Sequence, residues 1–120
     1  MKKVNYDYNN KVEKLKNYLK TKDLVMINED RNNDDCYCKM RYIFKDSLIS
    51  VILMDYDEDS LSLQYKYNDY ENNSSQINSP SLEFSVYEIP AKSAHYDVVI
   101  KKSFNFFLRL LKLYKEKYKR

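Results

Sequence analysis

A chain of 120 residues with 43% hydrophobic and 15% aromatic residues is long enough for one ordinary domain and too rich in aromatics to stay disordered. It contains no glycine, which excludes P-loops, dinucleotide-binding fingerprints, nucleophile elbows and glycine helix caps. The net charge of +3 hides a sorting by segment: seven Lys against Asp7 and Glu13 in 1–22, six Lys or Arg against fifteen Asp or Glu in 23–100, and eight Lys or Arg against Glu116 in 101–120.

Only two Ala and two Pro accompany the missing glycine. All three have GC-rich codons, so the composition implies an AT-rich genome: a low-GC bacterium, its phages or plasmids, or a large DNA virus. Positions that need positive φ are expected to fall to Asn or Asp, the residues that tolerate it best after glycine. The Lys2-Lys3 start has no apolar stretch behind it, and no run approaches 18 apolar residues. Neither a secretory signal nor a membrane span is expected, and the reading is a cytoplasmic protein.

In chain order, Tyr8, Val12, Leu15 and Leu19 recur at steps of four, three and four, which predicts an amphipathic helix over 6–22 capped by Asn5 or Asp7. The run 24–27 predicts a first strand, followed by a long acidic turn over 28–35. From Cys36 to Lys45 the residues alternate, with Cys36, Cys38, Met40, Tyr42 and Phe44 on one side of a strand. Cys36 and Cys38 thus share a face, too close for an unstrained disulfide, and read as buried thiols in a reducing compartment. Residues 48–54 are apolar on both faces, as in a central strand. The acidic tip 55–60 turns the chain into an alternating strand over 61–67. Residues 68–81 have turn composition and predict the one long loop. Alternation resumes over 82–89, and a last helix is predicted to start between Ser93 and Asp97 and to reach about Tyr118.

The fold class is therefore α+β: a single domain over 1–120, with an antiparallel five-stranded meander and an N-terminal and a C-terminal helix on one face. In the last helix Ile100, Phe104, Phe107, Leu111, Tyr114 and Tyr118 form a stripe that Val99, Phe106, Leu110 and Leu113 widen. A helix on a sheet needs an apolar arc of only about 100°. This wider arc must meet something besides the sheet, either the first helix or a second subunit, which leaves a homodimer through the C-terminal helix open.

The chemical inventory is poor. His95 is the sole histidine, so no triad or multi-histidine metal site can form within one chain. Asp55, Asp57 and Asp59 alternate like the start of a calcium loop, yet the twelfth position is Lys66 and the sharp-turn glycine is missing. No catalytic, cofactor or metal residue is assigned, and the chain reads as a non-enzyme.

The leading expectation is a protein that binds another protein, of inhibitor, immunity or anti-defence type. Its expected surface is the outer sheet face and acidic loops: Ile43, Ile52, Met54, Tyr87, Asp55, Asp57 and Asp59. The alternative is a nucleic-acid-binding accessory protein that uses Lys101, Lys102, Arg109 and Lys112 on the polar strip of the last helix, with the thirteen Tyr as stacking faces.

Overall fold

The computed structural model describes residues 3–68, 81–92 and 94–118, with the side chains of 68 and 118 left aside; the expected long loop lies outside them. The elements are α1 (Tyr8–Thr21), β1 (Val25–Asn32), β2 (Tyr37–Phe44), β3 (Ser47–Asp57), β4 (Ser60–Asn68), β5 (Ser81–Pro90) and α2 (His95–Tyr118). The strands form one open antiparallel sheet in the order β1-β2-β3-β4-β5, and both helices lie on one face, as the periodicity predicts.

Asp7 is the N-cap of α1; its carboxylate accepts from the Asn10 N–H at 3.2 Å. The other end closes as a Schellman motif. The Leu24 N–H donates to the Leu19 carbonyl at 3.4 Å and the Asp23 N–H to the Lys20 carbonyl at 3.3 Å, while Leu24 and Leu19 are both buried. Asp23 has φ 66°, the left-handed position that glycine ordinarily fills. Its negative charge also faces the negative end of the helix dipole. Asp23→Gly is therefore expected to stabilise the protein by about 1 kcal/mol and Asp23→Ala to destabilise it. Paired urea titrations measure both.

Among the described residues positive φ also occurs at Cys36, Lys45 and Glu88, so there the expectation that Asn and Asp would hold these positions is met only by Asp23. The other three sit where strand pairing dictates the backbone. Lys45 opens the two-residue loop between Phe44 and Ser47, Cys36 ends the β1–β2 turn, and Glu88 lies in an irregular stretch of β5. Tertiary structure holds a conformation there that local preference resists.

The first strand is longer than expected: residues 28–32, read as part of an acidic turn, belong to β1. Their alternation is disguised because the inner positions are charged. Glu29 stands opposite Met40 and Arg31 opposite Cys38, in the row that faces the helices. Lys16 of α1 donates to Glu29 at 2.8 Å, and Arg31 reaches Glu13 at 2.8 Å, Glu29 at 3.2 Å and the Asn9 side-chain oxygen. A bulge between Met26 and Asn28 shifts the register of the same strand. Cys36 lies in the turn before β2 rather than in the strand, because Tyr37 is the first paired residue.

The inner rows run across the sheet as Cys38-Leu53-Leu63-Val86, Met40-Val51-Tyr65-Phe84 and Tyr42-Ile49-Tyr67-Leu82. Tyr65 is at the centre, stacked on Phe107 at 5.2 Å and on Phe84 at 6.4 Å, with its hydroxyl 2.9 Å from Ser103 Oγ. α1 and α2 lie side by side. The Tyr96 hydroxyl donates to the Lys11 carbonyl at 2.6 Å, Lys14 pairs with Asp97 at 3.5 Å, and Tyr18 meets Phe104 edge-on at 5.9 Å. The first helix thus covers one side of the wide apolar arc of α2. The other side, with Phe106 and Leu113, stays exposed. Burial pushes the hydroxyls of Tyr8, Tyr65 and Tyr96 far above the ordinary phenol value, so they act only as neutral groups.

Candidate functional site

Alternation along β2–β5 sends Tyr37, Lys39, Arg41 and Ile43, then Ile52 and Met54, then Gln64 and Lys66, then Glu83 and Ser85 to the outer face. The register then groups them. Met54 stands opposite Tyr37 on one side and Ser62 on the other. Tyr56 and Tyr87 complete a cluster beside it, their ring centres 6.2 Å apart at 51°. Met54, Tyr56 and Tyr87 are 39%, 49% and 63% exposed, a high value for three large side chains in one place.

Ile52 lies one row inward, half-buried between Lys39 and Gln64. Ile43 does not join this group. It is six positions from Tyr37 along β2, about 20 Å away, and pairs with exposed Val25 and half-buried Leu48 at the opposite end. The expected apolar site therefore divides in two, with Met54 and Tyr87 at one end and Ile43 at the other. Tyr37 and Tyr56 were missed as site residues. The signal for Tyr56 was the extension of β3 to Asp57, which places it two positions beyond Met54.

The antiparallel topology also gathers acid at the Met54 end. The β1–β2 turn brings Asp34 and Asp35, the β3–β4 turn brings Asp57, Glu58 and Asp59, and the end of β5 brings Glu88. All six are exposed. Several also shape the turns. Asp57 accepts from the Asp59 N–H at 2.9 Å and the Ser60 hydroxyl at 2.7 Å, and these bonds hold its carboxyl below the usual range. Asp59 accepts from Asn5 at 2.9 Å and lies 3.8 Å from Lys92. Main-chain bonds from Asn5 to Glu58 (2.7 Å) and from Ala91 to Asp59 (3.1 Å) tie the same turn to the approaches of both helices. The tip is thus a braced platform. Asp55 differs from its neighbours: it pairs with Leu61 in the inner row and is half-buried, so it lies off the outer patch.

Lys101, Lys102, Arg109 and Lys112 are exposed on the solvent side of α2, on the far side of the molecule from the outer sheet face. α1 stops at Thr21 while α2 continues, which leaves a groove of about 760 Å³ floored by Phe44, Leu108 and Leu111. Lys112 stands on its rim with Lys45, Glu116 and Lys115, and Lys115 bridges to Asp46 at 2.7 Å.

Both thiols are buried and neither is in a disulfide, and burial pushes Cys38 up to about 11, which leaves almost no thiolate at neutral pH. His95 opens α2 at an exposed position. Among the described residues no three His, Cys, Asp or Glu side chains converge as metal ligands, and no helix is long and apolar enough to cross a membrane. Comparison of the chain with protein-family models, curated proteins and solved structures finds no match, so the reading of this surface rests on its own chemistry.

Proposed function

We propose that this protein is a non-enzymatic binder that docks a basic surface of another protein on the acidic, aromatic end of its sheet. The observation that supports this reading is the convergence of Tyr37, Met54, Tyr56 and Tyr87 with six exposed carboxylates from two turns and the end of β5. Exposed Tyr and Met supply contact area at small entropic cost, and a rim of one sign steers a partner of the opposite sign. An inhibitor or immunity-type protein that masks a cationic active site or nucleic-acid groove fits this surface.

The test pairs a photo-crosslinking amino acid at position 87 with one at position 105, on the solvent side of α2. A single protein adduct from position 87 and none from 105 is the expected result. Tyr56→Ala combined with Tyr87→Ala should weaken that partner's binding by about 30-fold or more without unfolding, because both rings are exposed. Tight, salt-sensitive retention on random DNA that Lys101→Glu with Lys112→Glu abolishes would replace this reading with the nucleic-acid one.

A further inference from the structure

The two edges of the sheet are finished differently. β1 carries a bulge, and its inward Glu29 and Arg31 are tied down by α1. Bulges and inward charges are what keep an edge strand from pairing with another chain. β5 has neither over Ser81–Val86, where its inner positions are Leu82, Phe84 and Val86, all half-buried, and the register is regular. The irregular stretch comes only beyond Val86. Among the described residues no strand lies on the outer side of β5.

α2 carries this apolar surface past the edge. Phe106 packs over Phe84 with ring centres 4.9 Å apart and remains 43% exposed, and Leu113 on the same flank is 62% exposed. Val99 and Leu110 are half-buried along that flank. α1 contacts the opposite side of α2 through Tyr18–Phe104 and Lys14–Asp97, so it does not cover these residues.

We propose that the β5 edge and this flank of α2 form the interface of a symmetric homodimer, in which β5 pairs antiparallel with β5 of a second copy. A regular edge strand is self-complementary about a two-fold axis, as a closed isologous contact requires. A register centred on Phe84 sets Leu82 against Val86 of the second copy and brings Phe84 and Phe106 of both copies around the axis. On the outer face the same register sets Glu83 against Ser85 of the second copy. Glu83 already has Lys66 at 3.3 Å, so the pairing opposes no unmatched like charges. The seven residues from Ser81 to Tyr87 that this register pairs and about four turns of helix reach the lower part of the standard interface, roughly 800 Å² per partner, and an affinity on the order of micromolar is expected. The product is a ten-stranded sheet whose two acidic ends point in opposite directions. This dimer does not depend on what those ends bind.

Sedimentation of the full chain from about 5 to 200 µM tests it, the range being set by the expected micromolar affinity. The expected result is a shift from 14.6 kDa to twice that mass. Leu113→Lys alone should weaken dimerisation at least tenfold, and Phe106→Asp with Leu113→Lys at least a hundredfold, with unchanged circular dichroism and faster amide exchange in β5. Lys101→Glu with Lys112→Glu should leave the mass unchanged. A monomer at the highest concentration, an open-ended series of larger species, or a dimer that survives the double substitution would each overturn the proposal.

Discussion

Phe104→Ala is expected to cost about 4 kcal/mol, within the roughly 3–5 kcal/mol range for removal of a buried aromatic ring. The ring is fully buried and sits where four elements meet: edge-on to Tyr18 of α1 at 5.9 Å and to Phe44 of β2 at 6.5 Å, and beside Tyr65 of β4 at 5.9 Å. Its loss removes transfer energy and leaves a cavity between rigid rings that cannot close over it. Domains of this size are stable by only about 5–15 kcal/mol, so a large share of the total goes with one side chain. A drop in Tm of roughly 12–24 °C should follow. Phe106→Ala is the control: two residues away and 43% exposed, it should cost under about 1 kcal/mol in the monomer. Equal losses at the two positions would contradict the orientation of α2 described above.

Arg31→Ala is expected to cost about 2 kcal/mol, between the roughly 0–1 kcal/mol of an exposed ion pair and the 3–5 kcal/mol of a broken buried one. The intermediate value follows from side-chain exposures of 16% for Arg31 and 22% for Glu29, partly screened by water. The pH dependence has a definite sign. The Lys16 hydrogen bond first, and then the Arg31 one, hold the Glu29 carboxyl below its ordinary value of 4.5. That contribution is complete above about pH 4.5 and is lost as pH falls through the depressed value. The gap between wild type and Arg31→Ala should therefore be widest near pH 7 and narrow towards pH 3, read by thermal melts at each pH. Glu29→Val combined with Arg31→Val should recover part of the stability, since no unpaired charge is left. It should also aggregate more readily, because the β1 edge then lacks its inward charges.

The helices and β2–β5 were legible because their periodicities are expressed in apolar residues: steps of three and four in α1 and α2, and alternation in β2, β4 and β5. The second half of β1 is disguised for the opposite reason. Its inner positions are Glu29 and Arg31, so strand alternation there is written in charge and looks like a turn. The positive-φ positions at Cys36, Lys45 and Glu88 were also illegible, since nothing local marks them. Of the candidate surface, the direction of each outer side chain followed from alternation, which placed Met54 and Tyr87 correctly. Their company did not: Ile43 stands at the far end of β2, and Tyr37 and Tyr56 are the side chains that join them.

The amino-acid sequence by itself determined the element order, the inward faces and the segregation of charge, because each depends on residues a few positions apart. Only the tertiary structure decided that the acidic turns at 34–35 and 57–59 and Glu88 share one end with Met54, the half-buried Tyr37 and the exposed rings of Tyr56 and Tyr87. It also decided that one sheet edge is guarded by charge while the other continues into an apolar helix flank. Both depend on strand register and helix placement, which are fixed by long-range packing around Tyr65 and Phe104 rather than by any local pattern.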